Sequence, residues 1–171
     1  MAQLVLTVVG DDRAGLVNAL AQKIAEVGGN WEQSELAELA GAFAGIVLVS
    51  VPDDHVAAFT TALRDLDGLL SVTAHTGSAA DAAAGESGHT LAFTVLGNDR
   101  PGIVRDVTAA IAAHALSIDT FRSRTLEAPM AGGTLFEASV SVSVPASADA
   151  EAITRALEAL AGEIQVDLTV A

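Results

Sequence analysis

The chain has 171 residues, of which 51% are hydrophobic and 18% charged: enough apolar material for one large or two small packed cores, and too little charge for disorder. Eight basic residues against 22 acidic ones give a formal net charge of −14, which repels phosphate and so excludes nucleic acid and anionic membrane surfaces as expected direct partners. The absence of cysteine removes disulfides, thiol nucleophiles, zinc–cysteine sites and iron–sulfur clusters.

The chain begins "MAQLVLTVVG", with no basic leader and an apolar run too short to span a bilayer, so a soluble cytoplasmic protein is expected. "QLVLTVV" is short and β-rich and reads as a strand. The turn "GDDRAG" follows. Leu16, Val17, Leu20, Ile24 and Val27 then share one face of a helix, which Gly28 and Gly29 stop as C-cap residues. A second strand starts near Asn30, "AGAFAG" reads as a hairpin, and "GIVLVSV" is a third strand ended by Pro52. Val56, Phe59, Leu63 and Leu66 form a second helical stripe, and "LLSVTAH" closes the unit as a fourth strand.

"GSAADAAAGESG", residues 77–88, is small, polar and bounded by glycine, so it reads as a linker, with a short alanine helix as the alternative. The pattern then starts again. "TLAFTVL" is a strand, "GNDRPG" repeats the turn at an offset of 87 residues, and Ile103, Val104, Val107 and Ile111 repeat the helical face. A strand begins near Ser117. "EASVSVSV" alternates strictly and ends at Pro145, and Ile153, Leu157 and Leu160 make the last stripe before the strand "IQVDLTV". Pro52 and Pro145 match at an offset of 93, so six extra residues belong near "EAPMAGG", Glu127 to Gly133. The expected organisation is one unit over 1–76, a linker over 77–88 and a second unit over 89–171. Each unit is βαββαβ, an α+β ferredoxin-like arrangement with a four-stranded antiparallel sheet, both helices on one face and the second strand at an edge.

The repeated turn is the candidate site. Asp12 and Asp99 stand where N-caps belong, Pro101 suits a first helical turn, and Gly15 and Gly102 would let another group approach the backbone. Free amides at a helix start suit a carboxylate, and a nearby acid or amide suits an ammonium, which together describe an α-amino acid. Ordinary capping explains one such turn. Two copies that keep Asp, Arg and Gly in register favour a ligand.

"DRAG" and "DRPG" after a first strand, in a duplicated βαββαβ unit, resemble ACT domains, the small regulatory modules of amino-acid metabolism. Two in tandem are similar to the glycine cleavage system transcriptional repressor group. The resemblance implies a non-catalytic regulator that binds a small amino acid, glycine or serine, at an ACT–ACT interface. The matching positions are Asp11, Asp12, Arg13, Ala14, Gly15 and Leu16 in the first copy, with Asn30 after the first helix. In the second they are Asn98, Asp99, Arg100, Pro101, Gly102 and Ile103, with Ser117 in place of the asparagine. Ala14 stands where the family often has proline. The resemblance also implies action through a partner protein, and a homodimer is compatible with it.

Other classes fit less well. His55, His75, His89 and His114 are scattered and show no metal-ligand spacing, and no phosphate-binding loop or nucleophile elbow is present. No metal, cofactor or catalysis is therefore expected. The central strands "IVLVSV" and "SVSVSV" carry no ring on which RNA bases could stack. A protein–protein module without a small ligand stays open as the alternative.

Overall fold

A computed structural model describes residues 1–76, 89–128, 132–146, 148–159 and 164–170. The expected linker, with its helical alternative, lies outside the described residues, as do Leu160 and the side chain of Leu157. The chain divides into two compact units, Met1–Ala82 and Ala83–Ala171.

In the first unit, strand β1 (Ala2–Asp11) leads to helix α1 (Leu16–Glu26), then β2 (Asn30–Leu39) and β3 (Ala42–Val51). A short 3₁₀ turn, helix α2 (Val56–Ala62), a second 3₁₀ turn (Leu63–Leu66) and β4 (Ser71–Thr76) complete it. The second unit repeats the order with β5 (His89–Asn98), α3 (Ile103–Ala112), β6 (Ser117–Glu127), β7 (Thr134–Val144), α4 (Ala150–Ala159) and β8 (Ile164–Val170). The sheets run β2-β3-β1-β4 and β6-β7-β5-β8, antiparallel throughout. This is the expected ferredoxin-like fold, with β2 and β6 at sheet edges.

Strand alternation sets the core. Leu4, Leu6 and Val8 of β1 and Val47, Val49 and Val51 of β3 point to one face, where Leu16, Leu20 and Ile24 of α1 and Phe59 of α2 meet them. Leu91, Phe93 and Val95 with Val140, Val142 and Val144 build the second core under Ile103, Val107, Ile111 and Ile153. Val17 and Val104, expected on the buried helical faces, are instead 44% and 42% exposed. They lie one step round the helix from Leu16 and Ile103, beyond the width of the buried stripe.

The punctuation also acts through identifiable geometry. Gly28 is left-handed, its N–H donates to the Ala25 carbonyl at 3.0 Å, and the Gly29 N–H donates to the Ile24 carbonyl at 2.9 Å. This pair of bonds is a Schellman ending. The β2–β3 turn is Ala40-Gly41, both at positive φ, the two-residue hairpin that matches strand twist. In the second unit Ala128 N–H bonds to the Gly133 carbonyl at 3.0 Å, which places the longer hairpin where the extra residues are expected. Both units also carry a β-bulge at the same point of the edge strand, between Trp31 and Gln33 and between Ile118 and Thr120.

Gly45 of β3 pairs with Leu36 of the edge strand. A Cβ there would run into the Glu35 carbonyl and come within 2.9 Å of the Leu36 Cα. Gly45→Ala should therefore destabilise the first unit by about 1–3 kcal/mol, the usual range for overpacking. The single tryptophan, Trp31, packs against that unit's core, so its fluorescence during urea unfolding reads the shift directly.

Candidate functional site

The repeated turn begins inside the sheet. Asp12 N–H donates to the Gly41 carbonyl and Asp99 N–H to the Thr134 carbonyl, both at 2.8 Å, so the backbone stays in the hairpin's hydrogen-bond pattern one residue past each strand. The helices start four residues later, at Leu16 and Ile103. Asp12 and Asp99 are therefore not the N-caps expected of them. Gly15 and Gly102 hold that position, at φ +93° and +86°, and no side chain caps either helix. Pro101 correspondingly precedes the cap instead of occupying the first helical turn.

The two glycines serve backbone conformation, not the close approach expected of them. Nothing lies within 4 Å of where a Gly15 Cβ would stand, so a close approach does not explain the residue. Its left-handed φ does, since a Cβ clashes with the backbone there. At Gly102 the nearest group would be the Arg105 guanidinium at 3.1 Å, a side chain of the same turn.

The first amide to bond back in α1 is that of Ala19, to the Gly15 carbonyl at 2.9 Å. The amides of Leu16, Val17 and Asn18 have no hydrogen-bond partner among the described residues. These are the orphan donors of a helix start. In α3 the first of the three is taken, because Ile103 N–H bonds to the Arg100 carbonyl at 3.3 Å.

Beside the first turn lies an open depression of about 340 Å³, lined by Val9, Gly10, Asp11, Arg13, Ala42 and the 68–71 loop. Gly10 allows that loop to pass: a Cβ on it would stand 2.7 Å from the Leu69 carbonyl. Arg13 reaches across and donates from Nη2 to the Gly68 carbonyl at 3.3 Å. One anionic and one cationic side chain thus share a rim. The 68–71 loop carries no charge or motif, and only its approach to Gly10 in space reveals its part.

The second turn is filled differently. Arg100 Nη1 lies 2.8 Å from Asp106 Oδ2, and Arg105 Nε and Nη2 lie 3.0 and 2.9 Å from Asp106 Oδ1. The Arg100 and Arg105 guanidiniums hold the Asp106 carboxyl below its ordinary range. Asp106 was not among the expected site residues, because its counterpart in the first copy is Ala19 and the repeat gives no signal there.

The structure gathers some expected residues and not others. Asp11 and Arg13 share the depression, with Asp12 and Ala14 exposed beside it. The side chains of Leu16 and Ile103 are 2% and 4% exposed and belong to the cores, so those residues can offer a ligand only backbone. Asn98, Asp99 and Pro101 are exposed around the second turn. Asn30 is not part of the first turn within its own unit. It pairs with Ser50, which pairs with Gln3, at the opposite end of β1 from Asp11. Eight residues of strand separate the two, roughly 26 Å. A β-α-β crossover returns the chain to the end where the first strand began, so the two features fall at opposite ends of the sheet.

Two regions of the chain match models of the ACT domain, residues 2–76 and residues 92–162. The chain belongs to the ACT-domain family, with two such domains in tandem. It is 31% identical to the glycine cleavage system transcriptional repressor of Escherichia coli K12 over 165 residues, 94% of this chain and 85% of that one. The Shigella flexneri protein of the same description gives the same figures. The crystal structure of an unknown protein from Galdieria sulphuraria is 29% identical, with a TM-score of 0.86 over 99% of this chain and 98% of that one. Groups of three or more His, Asp or Glu side chains able to hold a metal ion do not occur among the described residues, and no described helix is long and apolar enough to cross a membrane.

Because its folded value is depressed, the Asp106 carboxylate supports the second unit in full above the ordinary aspartate value of 3.8, and this support is lost as pH falls through the lower folded value. The Asp106 carboxyl carbon, followed by NMR, should titrate below the ordinary aspartate value of 3.8. Arg100→Gln should move its midpoint upward, and added salt should do the same more weakly.

Proposed function

We propose that the protein is a non-catalytic cytoplasmic regulator that senses a small amino acid, glycine or serine, at the turn between β1 and α1. The observation that carries this reading is the charge pair on the open depression. Arg13, with the unbonded amides at the start of α1, would take the ligand carboxylate, and Asp11, with Asp12 close by, would take the ammonium. Membership of the ACT family supports a regulatory role. The relationship to a glycine cleavage system repressor supports glycine or serine over larger amino acids.

Asn30 enters this reading through a second ACT unit. A unit related by a twofold axis and meeting the β2 edge antiparallel would bring its own Asn30 beside this turn, and an edge strand offers unpaired backbone for such a meeting. A ligand at an ACT–ACT interface of that kind favours the paired arrangement by its differential affinity for it. A chain with net charge −14 would then act on transcription through a partner protein, not by gripping DNA.

The second reading, an interaction module with no small ligand, draws on the outer sheet face of the first unit, where Val9 and Ile46 are 51% and 50% exposed. Isothermal titration with the twenty amino acids separates the two. Glycine or serine should bind, and Arg13→Ala and Asp11→Asn should each weaken binding about tenfold or more, the loss of one charge-assisted contact. Binding by none of the twenty leaves the interaction module.

A further inference from the structure

Arg13 and Arg100 occupy equivalent places in the two turns, yet they face different surroundings. Arg13 donates to a neutral backbone carbonyl, that of Gly68, at 3.3 Å. Arg100 lies 2.8 Å from a carboxylate oxygen of Asp106, and Arg105 holds the other oxygen through two donors. The first copy cannot reproduce this arrangement. Its residues at the positions of Arg105 and Asp106 are Asn18 and Ala19, one neutral amide and one methyl group.

Charge-assisted bonds of this kind are shorter and stronger than neutral ones. A carboxylate fixed on the same helical turn also acts as a tethered competitor, with an effective concentration of at least about the millimolar order. A free carboxylate would have to displace it. The Arg105 guanidinium, meanwhile, lies over Gly102, where the first copy's Gly15 has open space.

We infer that Asp106 acts as a built-in carboxylate that occupies the second turn, so that a carboxylate ligand is taken only at the first turn, one per chain. Position 106, with its counterpart Ala19, is then the residue that decides which copy of the repeat accepts a ligand. The stoichiometry rests on the amino-acid-sensor reading. The occupation of Arg100 does not.

Acetate is the probe that separates them. In the full chain, the side-chain Nε–Hε NMR signals of Arg13 and Arg100 are followed during acetate titration, and glycine stoichiometry is read by calorimetry. Arg13 should shift with acetate while Arg100 does not. In Asp106→Ala, Arg100 should become responsive, with an apparent acetate affinity at least tenfold higher than in the parent. Asp106→Asn, close in shape and uncharged, should act in the same direction and guards against misfolding of the alanine variant. A wild-type Arg100 that responds as strongly as Arg13, or one that stays silent in both folded variants, overturns the inference. Two glycines per wild-type chain overturn it as well and leave the sensor reading intact. If no amino acid binds while the acetate pattern holds, the sensor reading fails and the occupation of Arg100 stands.

Discussion

Both units depend on one backbone constraint. The first strand stays hydrogen-bonded to its neighbouring hairpin as far as Asp12 or Asp99, and the helix must already be running over the same sheet at Leu16 or Ile103. Three residues have to reverse the chain. A left-handed residue at the last of them achieves this, and glycine is the residue that adopts that φ without a Cβ penalty. With Gly15 and Gly102 in that state, Leu16, Leu20 and Ile24, or Ile103, Val107 and Ile111, land on the buried face of the sheet. If this reversal were moved by one residue, the whole apolar stripe would rotate by about 100° and miss the strands beneath it.

The same constraint shapes the candidate site. Because glycine, and not an acidic side chain, stands at the cap position, the first amides of α1 have no side-chain acceptor. The aspartates displaced from capping remain at the end of the sheet, where Asp11 and Arg13 border the depression beside the 68–71 loop. The approach of that loop depends on a second glycine, Gly10, for lack of a Cβ rather than for conformational freedom. Two neighbouring glycines therefore do different jobs, one setting the chain's direction and one making room.

Much of the fold was legible in the sequence because it rests on periodicities that a chain must obey. Alternation in "SVSVSV", the stripe Phe59-Leu63-Leu66 and the prolines after β3 and β7 each reflect a local rule, and the duplication repeats the helical stripe and the proline stop. The site was legible only in part. Aspartate before a helix is usually a cap, and nothing local reveals that the sheet's hydrogen bonds extend through Asp12. Val17 and Val104 look like stripe residues until the width of the buried face is known. Resemblance associates Asn30 with the turn, whereas the crossover topology alone puts it at the other end of its own sheet. Asp106 carries no repeat signal, because its counterpart in the first copy is Ala19.

A duplicated fold can diverge at positions that packing leaves free. Ala19 and Asp106 each precede a core residue, Leu20 and Val107, which are 1% and 0% exposed. Successive helix residues point about 100° apart, so one position of each pair serves packing and the other faces the turn. A charge can enter at the second without disturbing the first, and in α3 it gains the favourable field of a helix start. The frame of strand, reversal and helix is thus shared by both copies, while the charges around the reversal are free to differ. Backbone sterics call for glycine at the left-handed position 102, and the core encloses Val107. Neither requirement decides whether the arginine beside them faces a carbonyl, as Arg13 does, or a carboxylate of its own chain.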